Sequence, residues 1–269
     1  MANQPNNIND QIARKMIDTA AAMVAVSEKI VVFTGIGITT EPALHAGKAG
    51  DAVSPHHDVG DSFPKFVGDP VNHKRRWQLW NMFKMIESAQ PGSVHYAVAD
   101  IHKMGKLYCV IAQNVDGLYQ KSGIPEDKVI ELHGSVRRLK CLNCKKQFSI
   151  LEVSEKLAKG ITEEAICDSC GGKLKSATVS FGEPPLSKEI SQAEKFARSC
   201  DLFMLLGSNL LIYPAAHMPI YAVESGAKLM VINSEATAID GKADVLLHAD
   251  VEKVFVQIMD SVKKKLGSS

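Results

Sequence analysis

The sequence predicts an α/β fold: a doubly wound parallel sheet with a second, smaller domain. Two observations predict it. Short apolar runs without polar alternation are typical of parallel strands covered on both faces, and they recur at 30–34, 107–112, 202–206, 229–232 and 245–247. Helix-like stretches lie between them, at 94–104, 188–199 and 215–225. Strands that alternate with helices in this way favour a doubly wound sheet.

A first helix is predicted ahead of the first strand. Asn9 or Asp10 can cap its start. The apolar residues that then recur on one helical face are Ile12, Met16, Ile17, Ala20, Met23 and Val24. The strand 30–34 that follows ends directly in a glycine turn.

Composition excludes several classes of protein. The chain has 269 residues, 45% hydrophobic and 23% charged, and a formal net charge of +1, which is ordinary for a globular protein. Without a basic excess, direct nucleic acid binding is not expected. The most apolar early stretch, 20–33, is interrupted by polar residues and too short to span a bilayer, and no secretory signal precedes it. We therefore expect a cytoplasmic protein without a membrane partner.

Two segments do not follow the strand–helix alternation. The segment 48–91 begins as a loop rich in Gly, His and Asp and continues into a helix, and 137–177 contains cysteine pairs but no sheet-like core. We expect both to form the small domain, as a helical module and a cysteine module. The dinucleotide-type domain then comprises 1–47, 92–136 and 178–269.

Four of the six cysteines form two Cys-x-x-Cys pairs, Cys141 with Cys144 and Cys167 with Cys170. Each such turn presents two thiolates on one side, so two turns can complete a tetrahedron around Zn²⁺. Four thiolates leave no open position, and the predicted ion is therefore structural. Unliganded or disulfide-bonded cysteines are the alternative. Cys109 and Cys200 lie in or beside apolar runs and are interpreted as core residues.

The glycine turn Gly35-Ile36-Gly37 follows the first strand. Such a turn lets backbone N–H groups approach a pyrophosphate at a helix start. The third glycine of the dinucleotide pattern is absent, because Thr40 stands in its place. An ordinary strand-to-helix turn explains the motif at least as well.

A second polar segment, Gln113-Asn114-Val115-Asp116-Gly117, ends the strand 107–112. Polar side chains at the carboxyl edge of a parallel strand point into the crevice where such folds bind ligands. An amide and a carboxylate there can fix a carboxamide and a ribose. A turn that caps the next helix is the competing interpretation.

His133 lies in Glu131-Leu132-His133-Gly134-Ser135, just before the first cysteine pair. A histidine of near-neutral pKa can take a proton from a sugar hydroxyl as a general base. A lone histidine is more often structural, so this motif alone does not assign the role.

Together these motifs resemble the sirtuins, the NAD-dependent protein deacylases and ADP-ribosyltransferases, over about 28–260. Further segments match the family in chain order. They are Ala89-Gln90-Pro91-Gly92 with His95, Phe181-Gly182-Glu183, Gly207-Ser208-Asn209-Leu210, Pro214-Ala215-Ala216 and Ile232-Asn233-x-Glu235. The shared order implies a Rossmann-like domain that binds NAD, a small domain with one structural Zn²⁺, and His133 as the catalytic base.

The resemblance also implies a role for each matching residue. Residues expected to bind NAD are Gly35, Ile36, Gly37, Ile38, Thr39, Gln113, Asn114, Val115, Asp116, Gly207, Ser208, Asn209, Asn233, Ser234, Glu235 and Val251. Asn114 and Asp116 are also expected to act in catalysis at the nicotinamide pocket. Val179, Phe181, Gly182 and Glu183 match one wall of the groove that binds an acylated-lysine peptide.

In the family's reaction, the acyl oxygen of the modified lysine attacks the nicotinamide ribose and nicotinamide leaves. The histidine then deprotonates the ribose, and the acyl group moves to ADP-ribose. This sequence departs from the family at one place: where sirtuins carry Gly-Ile-Pro-Asp-Phe-Arg, it reads Ala43-Leu44-His45-Ala46-Gly47-Lys48. Lysine lacks the bidentate fork of arginine. Deacylation is the leading hypothesis; mono-ADP-ribosyl transfer, NAD hydrolysis and a non-catalytic NAD or ADP-ribose sensor are the alternatives.

Overall fold

The structure, a computed structural model, describes residues 7–38, 88–161, 165–179 and 183–267. In chain order, the strands there are β1 (Ile30–Thr34), β2 (Leu107–Ala112), β3 (Val129–Glu131), β4 (Gly134–Cys141), β5 (Gln147–Ser149), β6 (Leu174–Thr178), β7 (Leu202–Leu206), β8 (Lys228–Asn233) and β9 (Val245–His248). The helices whose bounds are described are α1 (Asn7–Val26), α2 (Ser93–Lys103), α3 (Leu118–Lys121), α4 (Ile150–Ala158), α5 (Ser187–Ala197), α6 (Met218–Glu224) and α7 (Val251–Leu266). Among these, no helix is both long and apolar enough to cross a bilayer.

Six strands form one parallel sheet in the order β3-β2-β1-β7-β8-β9. The chain builds outward from β1 to β3 on one side, then returns beside β1 and builds outward from β7 to β9. This is the strand order of a doubly wound dinucleotide fold, and the order reverses between β1 and β7. The predicted fold class is confirmed.

Helices cover both faces of this sheet. One apolar cluster joins the strands to α1, α2 and α7, and the other joins them to α5 and α6. All five residues of β1 and of β7 are buried. Burial on both faces explains why these strands appear in the sequence as unbroken apolar runs.

The expectation of a cysteine module without a sheet is wrong. Strands β5, β4 and β6 form a three-stranded antiparallel sheet, which shares an apolar cluster with α4. Exposed and half-exposed basic residues of β4, such as Arg138 and Lys140, interrupt the apolar pattern that marks a strand. The predicted divisions at 136/137 and 177/178 fall inside β4 and β6, and the division into domains stays a proposal.

Candidate active site and metal centre

Two glycine loops pack against each other between β1 and β7, where the strand order reverses. The amide of Gly35 donates to the Leu206 carbonyl at 3.2 Å, and that of Gly37 donates to the Gly207 carbonyl at 2.9 Å. A Cβ on Gly37 would lie 2.9 Å from the Gly207 Cα, and one on Gly207 would lie 2.7 Å from the Gly37 carbonyl carbon. Gly207 also has a φ of +63°, which favours glycine. Backbone therefore packs on backbone where β1 and β7 end.

A side-chain hydrogen bond ties the next loop to this point. The Ser208 hydroxyl donates to Gln113 Oε1 at 2.6 Å. The backbone amide of Gln113 donates to the Thr34 carbonyl at 2.9 Å. The loops after β1, β2 and β7 are thus held together at one edge. The crevice that the strand reversal opens lies at this edge.

A second network extends along the same edge to β8. Asn233 is 3% exposed, and its Nδ2 donates to Asn209 Oδ1 at 2.8 Å and to the Glu235 carbonyl at 2.9 Å. Asn209 Nδ2 donates to Glu235 Oε2 at 2.7 Å. The exposed Glu235 carboxylate is therefore held in place as an acceptor, which suits a ligand with ribose hydroxyls.

The competing interpretation of the Asp116 motif is met only in part: Asp116 lies in the turn before α3, but the N-cap residue is Gly117 and it has no side-chain cap bond. One carboxylate oxygen accepts from the Leu118 amide at 3.0 Å, in the turn that precedes α3, and the other lies 3.5 Å from Asn114 Nδ2. Both side chains are 8% exposed. This turn bond does not exclude a ligand contact, because a carboxylate accepts several hydrogen bonds. The Val115 side chain instead packs in the core beside the small sheet.

Two buried rings support this polar loop. His95 lies 4.8 Å from Tyr119, centroid to centroid, and the two rings are 1% and 2% exposed. Burial lowers the pKa of His95, although the Asp116 charge acts in the opposite direction. His95 Nδ1 accepts from the Gly92 amide at 3.1 Å, so the ring is neutral with its proton on Nε2. Sequence reasoning matched His95 to the family but did not find its contact with Tyr119.

His133 lies in the turn between β3 and β4. The Leu132 amide donates to the Ala112 carbonyl at 3.0 Å, which continues the pairing of β3 with β2. On the other side the His133 carbonyl accepts from the Val179 amide at 2.9 Å. The histidine is therefore fixed between the large sheet and the small one, at the edge that carries Asn114 and Asp116.

Glu131, at the end of β3, is a further titratable group that sequence reasoning missed. It is 8% exposed, and burial raises its pKa to about 7, against the opposing effect of a Ser135 hydrogen bond and the Arg138 charge. The Arg138 guanidinium lies 3.6 Å from its carboxylate. The only sequence signal was a carboxylate two residues before the candidate base.

The four paired cysteines converge in the small sheet. All four Sγ atoms lie within 4.8 Å of one another, and two of the separations are 3.5 Å and 3.6 Å. Tetrahedral Zn²⁺ with bonds of about 2.3 Å needs sulfurs about 3.8 Å apart. Four free cysteines at this spacing fit a structural zinc ion, and no ligand position is left for chemistry. Cys109 and Cys200 are buried core residues, as predicted.

The predicted groove residues are only partly described. Val179 and Glu183 flank a gap in the described residues, and Phe181 and Gly182, like Thr39 and the departing segment 43–48, lie outside them. Glu183 pairs with Lys175 at 2.9 Å. Val251 begins α7 beyond β9 and is 4% exposed.

The donor set at this edge fits a dinucleotide. Close-packed glycines lie where the strand order reverses, and amides, a hydroxyl and a carboxylate line the same edge, as a pyrophosphate with two riboses requires. Predicted NAD-binding residues that the sheet brings there are Gly35, Ile36, Gly37, Ile38, Gln113, Asn114, Asp116, Gly207, Ser208, Asn209, Asn233, Ser234 and Glu235. Fold and site together define a dinucleotide-binding α/β protein with a zinc-type cysteine cluster.

Comparison with known proteins identifies the family. The model of the Sir2 family matches residues 57–214. NAD-dependent protein deacylase 2 of Archaeoglobus fulgidus is 35% identical over 249 residues, which cover 92% of this chain and 96% of that protein. An NAD-dependent protein deacetylase of Thermodesulfovibrio yellowstonii is 35% identical over 87% of this chain and 91% of its own length. The chain belongs to the Sir2 family.

Solved structures of Sir2 proteins are similar to this chain, in agreement with its family. The structure of Sir2Af2 bound to a myristoylated histone peptide superposes with a TM-score of 0.73 at 33% identity, covering 95% of this chain and all of that one. Sir2Tm bound to a propionylated peptide gives a TM-score of 0.73 at 27% identity, over 94% and 99% of the two chains. The predicted resemblance is confirmed.

Proposed function

We propose that this protein is an NAD-dependent protein-lysine deacylase. One observation carries the proposal: His133 is fixed through its backbone between β2 of the large sheet and the segment after β6 of the small one. Its position adjoins both the polar loop at 113–116 and the residues that match the peptide groove. A base at that junction can deprotonate a sugar that receives an acyl group from a bound peptide.

Different residues at the carboxyl edge of the large sheet bind different parts of NAD. The glycine loops and Ser208 hold the pyrophosphate, while Asn209, Asn233 and Glu235 hold the adenosine ribose. Asn114 and Asp116 orient the carboxamide of nicotinamide. NAD, when bound, supplies the ADP-ribose that receives the acyl group.

His133 takes the proton from a ribose hydroxyl, and the neighbouring loop keeps that hydroxyl oriented. Orientation matters because the acyl oxygen must approach the sugar in line. Val179, Phe181, Gly182 and Glu183 match in sequence one wall of the family's peptide site, where a peptide binds as an added strand. The relatives support deacylation as the function: two are called NAD-dependent deacylase or deacetylase, and two solved relatives hold acylated peptides.

The departure from the family sequence at Ala43–Lys48 favours an alternative to deacylation. Without the family's aromatic and arginine side chains at this place, acceptors other than the acyl oxygen have easier access to the sugar. Mono-ADP-ribosyl transfer or NAD hydrolysis is therefore the second candidate.

Partners and location follow from composition. A net charge of +1 gives no electrostatic basis for direct nucleic acid binding, and the predicted partner is an acylated-lysine protein rather than a membrane. Four free thiols at zinc spacing suit a reducing compartment, and we infer a cytoplasmic protein.

The test is a product assay. The purified protein is incubated with NAD and lysine peptides that carry acetyl, propionyl or myristoyl groups, and nicotinamide, deacylated peptide and protein mass are followed. Deacylation requires nicotinamide and acyl-ADP-ribose in a 1:1 ratio with deacylated peptide. An added ADP-ribose mass on protein, or nicotinamide release without deacylation, would replace the proposal by the second candidate. NAD binding with no nicotinamide release would indicate the sensor.

A further inference from the structure

Lys175 is a buried cation outside the dinucleotide edge. This β6 residue is 4% exposed, and lysine is almost never buried without partners. Its ammonium donates to Glu183 Oε2 at 2.9 Å, to the Thr178 carbonyl at 2.7 Å and to the Ser176 carbonyl at 3.4 Å. All three protons of the ammonium thus have an acceptor.

These acceptors lie on both sides of the predicted groove segment. Thr178 ends β6, and Glu183 lies five residues further along the chain. A single ammonium group therefore joins the start of this segment to its end. Separating the carboxylate from the carbonyl is costly, because the buried ammonium would lose a partner in a desolvated place.

The same strand end is also bonded to the candidate base. Thr178 pairs with Gly134, and the Val179 amide donates to the His133 carbonyl at 2.9 Å. A Cβ on Gly134 would lie 2.0 Å from the Ala177 carbonyl oxygen, and the φ of Gly134 is +77°. Only glycine permits this close approach, so the strand end and His133 are held in one position.

We propose that Lys175 is a positioning residue for the deacylation reaction: its ammonium joins Thr178 to Glu183 and so holds the two described ends of the predicted groove segment relative to His133. The inference rests on the proposed function. The hydrogen bonds that the Lys175 ammonium donates to Ser176, Thr178 and Glu183 all lie outside the dinucleotide edge. Its loss should weaken peptide use without weakening NAD use.

The test compares three variants of the full-length zinc-loaded protein. Lys175→Met removes the charge and keeps the length, and Lys175→Arg keeps the charge. Lys173→Met is the matched control, because Lys173 is an exposed lysine immediately before the same strand, β6. For Lys175→Met we expect KM for the acylated peptide to rise about 10-fold or more, and KM for NAD to change less than about 3-fold. Lys175→Arg should restore most of the peptide KM, and Lys173→Met should match the wild type.

Hydrogen exchange supplies a readout that needs no activity. The Val179 amide should exchange at least about 10-fold faster in Lys175→Met, while the amides of β7 and β8 stay protected. If Lys175→Met does not fold or loses zinc, Lys175→Gln, which keeps a donor, replaces it in both measurements.

Three results overturn the proposal. The first is an unchanged peptide KM in a folded variant. The second is an equal rise of both KM values, which indicates a general structural role. The third is an unchanged exchange rate at Val179. A wild type that uses NAD but deacylates no peptide refutes the proposed function as well, whereas an active wild type with an insensitive variant refutes only this inference.

Discussion

The amide nitrogen of Gly37 lies 2.9 Å from the carbonyl oxygen of Gly207, and this bond joins the loops that leave two adjacent strands, β1 and β7. The sequence separates these glycines by 170 positions. At the point where a doubly wound sheet reverses its strand order, the two loops must diverge to open a crevice. Here they diverge from a contact in which neither side has room for a side chain.

Gly37→Ala should weaken NAD binding by about 10-fold or more. The new Cβ would lie 2.9 Å from the Gly207 Cα, and since the obstacle is backbone, the loop must move away from the pyrophosphate position. Titration calorimetry with NAD measures the loss. Gly241→Ala is the control because a Cβ there meets nothing within 4 Å, and its affinity should equal that of the wild type. Unchanged affinity in Gly37→Ala would remove the glycine loop from the binding site.

His133→Ala should lower deacylation by at least about 100-fold while NAD still binds. A positioned general base contributes roughly 10²–10⁴-fold, and the backbone bond to Val179 does not depend on the imidazole. Steady-state rates and calorimetry separate the two effects. His102→Ala, on α2 away from the crevice, should behave as the wild type. Turnover that survives in His133→Ala would refute the assigned role.

The cysteine cluster should hold one zinc ion per chain. Cys144→Ser should lose the ion and the structure of the small sheet, because a four-thiolate site contributes on the order of 10 kcal/mol to local folding. Metal analysis and circular dichroism measure both. Cys200→Ala removes a cysteine outside the cluster and should retain a full equivalent. A folded Cys144→Ser protein without metal would show that the ion is not structural.

Glu131→Gln should stabilise the protein more at pH 8 than at pH 5. The folded-state pKa of Glu131 is about 7, raised by burial from 4.5, so between these values the folded chain binds more protons than the unfolded chain. Its stability therefore falls as the pH rises through this window. Glutamine stays neutral, and the gain at pH 8 is at most on the order of 3 kcal/mol.

Urea unfolding at the two pH values measures the Glu131 effect. Glu126→Gln is the control, since that carboxylate is 59% exposed and should give a much smaller pH-dependent difference. Equal effects of Glu131→Gln at both pH values would mean that the Glu131 carboxyl is ionised throughout.

Strands of the large sheet were predictable because they are apolar on both faces. The bounds predicted for β2 and β7 are those of the structure, since nothing but a buried strand fits an unbroken run of that length there. The small sheet was missed because β4 carries exposed basic residues between buried ones. The clustering of the four thiols followed from spacing alone.

Contacts distant in sequence were not predictable. Periodicity cannot show that Asn209 and Asn233 exchange a hydrogen bond across β7 and β8, nor that the buried Lys175 meets Glu183. Both depend on register and side-chain direction, which only the folded chain fixes. The assignment of individual residues to NAD and peptide stays a prediction for the same reason.

Strand β4 begins at Gly134, next to the candidate base, and ends at Cys141, a candidate zinc ligand. Seven residue steps of extended chain span about 23 Å. An ion too remote to touch any reactant would thus anchor the far end of the strand that follows His133. Zinc depletion would then inactivate the enzyme even when NAD is abundant. The cause would be a loss of alignment of His133 and not the lack of a reactant.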